Sequence, residues 1–268
     1  MSFEEASTEA DREISYLLFR EFDKPERLKA FGEVCDKLSD RFYWTLFAEL
    51  YRRNESLYRD QDLLRRLILS NRPHKGFLMS HEEYQTFNHL PRNLTIFRGG
   101  WLDNILGWSW TLDRGKAKWY ANRCPYDGQP LVNKGRVERG LVEAYFGSEG
   151  HDEIVVPPER VRIVATLKLP QVQITFSQRM FQQVQAGLML ETDDIRIGMQ
   201  ASCMRMNTKG NIAKVLVSVD QRIESLVKWG FNEKVEALQK LREFVIEPPP
   251  EILALEEAQH AEGETSTA

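Results

Sequence analysis

Three separated fragments decide how this chain is read: Thr95-Ile96-Phe97-Arg98-Gly99-Gly100, Gly107-Trp108-Ser109-Trp110-Thr111 and Gly150-His151-Asp152-Glu153-Ile154-Val155-Val156. Each sets a polar or charged residue within, or at the edge of, an apolar run of strand type. A buried strand does not carry Arg, Ser or Glu without a partner, because an unpaired charge there costs several kcal/mol. Three such intrusions in succession predict one polar cleft that the strands share.

Working outward, helical periodicity precedes this stretch. Leu28, Phe31, Val34, Cys35 and Leu38 recur at three- and four-residue spacing, as do Tyr43, Leu46, Phe47, Leu50 and Tyr51, and then Leu63, Leu64, Leu67 and Ile68. Each set puts its apolar side chains on one helix face. Pro25 suits a first helical turn, and Ser80 with Glu83 three residues on is a capping box. The composition then changes, with nine of the 16 glycines between Gly99 and Gly150 and four of the six tryptophans between Trp101 and Trp119. Strands are predicted near 94–98, 108–111, 141–146, 153–156 and 161–168, with one helix at about 114–123 behind an Asp113 N-cap. Ile212, Val215, Leu216, Val219, Ile223, Leu226 and Val227 mark a later amphipathic helix, and Val235, Leu238, Leu241 and Val245 another. The expected organisation is a helical region over 1–90, a β core over 91–170, a mixed, mainly helical region over 171–246 and a disordered acidic tail over 247–268.

Composition narrows the class. The chain has 268 residues, 42% of them hydrophobic, and a formal net charge of −4, so no global charge argues for nucleic acid or membrane as partner. Cys35, Cys124 and Cys203 are too few and too scattered for a disulfide framework or a zinc ribbon, and no His or Cys spacing suggests a metal. With an acidic N-terminus lacking an apolar core and no run near the roughly 20 residues that span a bilayer, the expectation is a cytoplasmic protein. Between Arg114 and Arg139, seven basic residues face two acidic ones. That bias fits a solvated face, or a basic rim for a phosphate-rich acceptor.

The fragments also suggest a chemistry. Arg98 offers a rigid fork of donors suited to phosphate or ribose. The glycines after it let a planar ligand approach the backbone. Ser109 and Thr111, two apart on a strand, share one sheet face, while Trp108 and Trp110 face the core on the other. Glu153 opens the third strand as a candidate acid.

Phe97-Arg98-Gly99, Trp108-Ser109-Trp110-Thr111, Asp152-Glu153-Ile154-Val155-Val156 and Ala117-Lys118-Trp119-Tyr120-Ala121 together resemble the ADP-ribosyltransferase superfamily, in its arginine–serine–glutamate branch. The resemblance covers about residues 94–168. It implies an α+β fold, a split antiparallel β core with helical extensions on both sides, and NAD as substrate with no metal. It implies catalytic roles for Glu153, Ser109 and Arg98. Arg98 would bind the cofactor's phosphates and the ribose beside nicotinamide, and backbone around Gly99 would receive the nicotinamide amide. Ser109 would help orient Glu153, and Thr111 would stand where the family has a second hydroxyl. Either Trp119 or Tyr120 would face the cleft, with Tyr120 the cofactor-binding candidate. Glu153 would stabilise positive charge on the sugar as nicotinamide leaves. Trp110 stands where a small hydroxyl residue is frequent, and His151 stands where members that modify arginine carry Glu or Gln. The acceptor is thus left open between protein and nucleic acid, with His151 and Asp152 as acceptor-side candidates. A toxin, phage effector or phage-defence enzyme, with a neutralising partner protein, is the expected setting. An NAD glycohydrolase and a non-catalytic binding or assembly module of the same fold are the alternatives.

Overall fold

The structure is a computed structural model that describes residues 7–53, 60–102, 104–123, 128–147, 152–170, 197, 200, 201, 204 and 212–250. The chain forms two compact units, Met1–Thr175 and Phe176–Ala268. The helical region and the β core, expected to divide near residue 90, therefore belong to one unit.

That first unit begins with five helices: α1 (Glu9–Glu21), α2 (Arg27–Val34), α3 (Asp40–Arg53), α4 (Gln61–Ile68) and α5 (His81–His89). The predicted stripes are their buried faces. Phe31, Tyr43, Trp44, Phe47 and Tyr51 are each no more than 2% exposed and form one aromatic cluster. Burying a side chain such as Phe31 or Phe47 stabilises the fold by roughly 1.5–3 kcal/mol. Thr8 with Asp11 caps α1, and Ser80 with Glu83 caps α5 as the spacing predicts.

The six strands are β1 (Asn93–Gly100), β2 (Ser109–Thr111), β3 (Leu131–Glu138), β4 (Ala144–Phe146), β5 (Glu153–Val155) and β6 (Arg162–Lys168). Their order is β4-β5-β2-β1-β3-β6, every neighbouring pair antiparallel. The fold class is α+β, as expected. β1 and β3 pair over eight positions, from Asn93 opposite Glu138 to Gly100 opposite Leu131, whereas β1 and β2 share a single registered pair, Phe97 opposite Thr111. The sheet is thus two three-stranded halves hinged at one point.

Strand alternation sorts the two faces. Leu94, Ile96, Trp110, Val137, Tyr145, Ile154, Val156 and Val161 form the core on one side. On the other, α6 (Arg114–Arg123) sets Ala117 and Ala121 against Val132 and Phe97. The approach of α6 explains Gly99: a Cβ there would lie 1.7 Å from the Ala117 carbonyl oxygen. That face of the glycine is taken by a helix.

β3 went unpredicted because Asn133-Lys134-Gly135-Arg136 breaks the apolar alternation. The gap is filled from outside, since a Cβ on Gly135 would meet Val161 at 2.4 Å and Trp110 at 3.2 Å. The strand expected over 141–146 starts only at Ala144. A 3-10 turn, Arg139–Leu141, closes ahead of it with Val142 N–H donating to the Arg139 carbonyl.

The second unit holds α7 (Ile212–Trp229) and α8 (Asn232–Ile246), the two helices predicted there. They are joined at Gly230, whose φ of +84° lies in the left-handed region. Gly230 N–H donates to Val227 and Phe231 N–H to Leu226, the paired bonds that finish a helix on glycine. Arg242 on α8 bonds Asp220 on α7 at 2.8 Å. Within the predicted tail, residues 251–268 lie outside the described residues, as do Cys124 and Cys203. Among the described residues no helix is long and apolar enough to cross a membrane.

A buried polar contact ties α1 to the start of α3. Asp11, fully buried on α1, accepts from Ser39 N–H at 2.9 Å and Ser39 Oγ at 2.7 Å, at the start of α3. Burial alone would raise its pKa, but these bonds and those from Thr8 bring it below the ordinary carboxylate value. A depressed folded-state pKa contributes stability that is present above the unfolded value, about 3.9, and is lost as pH falls through the folded one. Asp11→Asn should therefore destabilise the protein by about 1–3 kcal/mol at neutral pH. Its deficit against wild type should shrink below about pH 4. Urea denaturation at pH 7 and pH 3 measures both, and a deficit that does not depend on pH refutes the charge argument.

Candidate active site

The site is assembled where the two halves of the sheet part. Past Phe97 and Thr111, β1 continues along β3 while its registered pairing with β2 has ended. Arg98 bridges the gap. Its Nη1 donates to the Ser109 carbonyl at 2.6 Å, and its Nε and Nη2 donate to the Asn104 carbonyl at 3.2 and 2.9 Å. A side chain thus ties the strands where the backbone ladder has stopped. Gly107 makes room for it, since a Cβ there would lie 2.6 Å from Arg98 Nη2. Burial lowers the Arg98 pKa, opposed by the attraction of Tyr51 and Glu153; an arginine in a protein stays protonated all the same.

Glu153 sits opposite Thr111 in the β2–β5 register, and Ser109 sits opposite Val155. The serine and glutamate are therefore diagonal neighbours on one sheet face, offset by two residues along the strands. Tyr51 lies beside both. This residue, 2% exposed on α3, donates its phenol to Glu153 Oε1 at 3.1 Å, with the Ser109 side chain beside it. Its ring lies 5.4 Å from that of Phe146 on β4, the residue opposite Glu153 on the other flank. Burial, the Glu153 charge and the bond to it hold the Tyr51 pKa well above the usual phenol value, so the group remains a neutral donor.

Arg98, Ser109 and Glu153, far apart in sequence, are thus brought together. The order is Ser109 hydroxyl, Tyr51 phenol, Glu153 carboxylate, with the Arg98 guanidinium anchored to the serine's own carbonyl.

The other sequence candidates do not all join them. Thr111 is buried on the expected face, but its Oγ1 accepts from Asp113 N–H at 3.1 Å and helps to start α6. Asp113 then caps that helix through Gly115 N–H at 2.6 Å. Asp152 accepts the Tyr145 phenol at 2.6 Å, and Tyr145 belongs to the core on the opposite sheet face. Its carboxylate is turned away from Glu153, as adjacent strand residues must be, so it does not stand on the acceptor side of this cleft. His151 lies outside the described residues. Tyr120, 39% exposed, flanks the packed face of α6, and Trp119, 57% exposed, points farther out against it, edge to face at 5.0 Å. Trp108 and Trp110 are buried as expected. Among the described residues no group of three or more His, Cys, Asp or Glu converges to hold a metal.

Sequence reasoning overlooked Tyr51, Asn104 and Gly107. Tyr51 scans as one more member of the α3 stripe. The available signal is that a phenol at a core position needs a polar partner.

The clamp predicts the outcome of a conservative change. Arg98→Lys cannot serve both carbonyls with a rigid fork, so a buried acceptor loses its donor at a cost of about 1–3 kcal/mol. Chemical denaturation measures this, and a wild-type midpoint would eliminate the clamp. Comparison with protein-family models, with curated proteins and with solved structures found no match.

Proposed function

We propose that this chain transfers ADP-ribose from NAD to a macromolecule, as a mono-ADP-ribosyltransferase. One observation carries the reading. The three fragments that resemble the arginine–serine–glutamate signature lie on strands hinged at one registered pair, with Arg98, Ser109 and Glu153 gathered around Tyr51.

The residues present suit the substrate. The described bonds use three of the five N–H groups of Arg98, so a fixed cation with donors to spare stands at the parting of the strands. A phosphate or a ribose hydroxyl is the natural complement to such a fork. Glu153, partly buried beside it, is the acidic group suited to accept from a ribose hydroxyl and to stabilise positive charge that builds on the sugar as nicotinamide departs. Such a charge-stabilising group acts most strongly where water is excluded. The macromolecule would approach past α6, whose described face offers Arg114, Lys116 and Lys118 beside Trp119 and Tyr120. Transfer onto a cell's own components would be harmful, which supports a toxin, a phage effector or a phage-defence enzyme, and with it a neutralising partner protein.

A second reading has a specific observation behind it. Arg98 commits donors to protein carbonyls, as it would in a module of this fold that binds without turnover. Tight NAD binding without nicotinamide release would identify that case.

The test is labelled NAD with purified protein and cell extract, treated with nuclease or with protease. Label lost to nuclease identifies a nucleic-acid acceptor, and label lost to protease a protein. Free ADP-ribose with no labelled macromolecule identifies an NAD glycohydrolase. Glu153→Gln retains an oxygen to accept from Tyr51, so it should fold normally and lower nicotinamide release by roughly 100- to 1000-fold. Wild-type turnover in that variant removes Glu153 from the mechanism.

A further inference from the structure

We propose that Tyr51 is the positioning residue of this site, with its phenol holding Glu153 Oε1. The inference rests on the NAD reading for what the carboxylate does, and on geometry alone for how it is held.

Three observations carry it. First, the register sets Ser109 and Glu153 as diagonal neighbours on one sheet face, and Tyr51 enters beside both from α3. Its phenol donates at 3.1 Å to Glu153 Oε1. Second, the phenol is immobilised from outside the sheet. Its ring lies against Phe47 at 6.2 Å and Phe146 at 5.4 Å and is 2% exposed. The next residue, Arg52, lies 4.4 Å over the Phe146 ring and bonds Glu83 at 2.8 Å. Glu83 in turn accepts from Gly147 N–H at 3.1 Å, at the end of β4. α3, α5 and β4 are thereby braced around one side chain. Third, the bond is directional: a phenol this buried and this close to a carboxylate is a donor, and the carboxylate it holds is an acceptor with one oxygen oriented.

The consequence is a division of labour. An unrestrained glutamate at the start of a strand samples several rotamers, and only some present an oxygen to a substrate in the cleft. Fixing Oε1 from behind removes that freedom before substrate arrives, which is how a supporting residue raises turnover without touching the reacting atoms. The helical region then contributes to the chemistry itself, through a single oxygen atom delivered by α3.

Tyr51→Phe deletes that oxygen and retains the ring. In full-length protein, nicotinamide release should fall about 10- to 100-fold in kcat with KM within about twofold of wild type, the signature of lost orientation and not of lost binding. The charged groups facing the phenol are Glu153 and Arg98. Losing the donor while Arg98 remains raises the Glu153 pKa, so the acid limb of the pH profile should move upward. A kcat within twofold of wild type, or a higher one, overturns the proposal. If the Phe variant does not fold, 3,5-difluorotyrosine at position 51 preserves shape and strengthens the donor. The acid limb should then move downward, and an unmoved limb overturns the proposal. Should wild type release no nicotinamide, the NAD reading fails by itself. Carboxyl-carbon NMR titration of Glu153 in wild type and Tyr51→Phe then decides the contact: an upward shift in the variant supports it, and no shift refutes it.

Discussion

The candidate site is arranged around one interruption, where β1 and β2 stop pairing after Phe97 and Thr111. An unpaired stretch of backbone inside a sheet is costly, because buried carbonyl and N–H groups require partners. The sequence offers Arg98 as the repair, and the guanidinium serves the carbonyls of Ser109 and Asn104 together. A backbone ladder would have closed the gap. A cation spanning it leaves an opening with a fixed positive charge. Gly107 is small for the guanidinium's sake and Gly99 for the helix on the far face, so two glycines of one glycine-rich stretch answer two different packing demands.

The helical region takes part in this arrangement. Besides Tyr51, α4 reaches the sheet through Arg65, whose two terminal nitrogens each bond Glu159 at 2.7 Å. Lys75 pairs with Glu143 just before β4, and Arg139 donates to the Leu90 carbonyl at 2.5 Å. Exposed pairs such as Arg65–Glu159 contribute little stability singly. Their positions matter more, since they fasten the helical region to segments that flank the strands of both halves of the sheet. Displacing α3 would move Tyr51, and with it the carboxylate it bonds.

Much of this was legible in the sequence, and the exceptions have physical causes. β1, β2, β5 and β6 announce themselves because β-branched and aromatic residues alternate there between breakers, and α5 and α6 because Ser80 and Asp113 stand at their caps. Arg98, Ser109 and Glu153 stand out as polar intrusions. β3 does not, because its central glycine is packed by side chains from β1, β2 and the turn before β6, a tertiary effect invisible locally. Tyr51 was hidden by its own amphipathicity: the ring obeys the helix stripe while only the hydroxyl serves the site. Asp152 misled for the opposite reason. Adjacency to Glu153 suggested a shared task, but strand alternation sends neighbours to opposite faces, and Tyr145 bonds it there.

The electrostatics of the assembled group follow from this geometry. Desolvation disfavours the charged form of Arg98, and the charge of Glu153 favours it. Tyr51 lies between these tendencies. The Glu153 charge and burial keep its proton in place, while Arg98 and the Ser109 bond pull the other way, with the first pair prevailing. A neutral donor beside a carboxylate stabilises that charge without cancelling it, whereas a lysine or arginine in its place would form an ion pair and neutralise the group. For a site whose task is to meet positive charge developing on a substrate, that difference decides the residue type. The carboxylate must be held firmly and yet keep its charge. A phenol delivered from a rigid helix meets both requirements, while Arg98, on β1 beyond β2, is anchored to the carbonyls of Ser109 and Asn104.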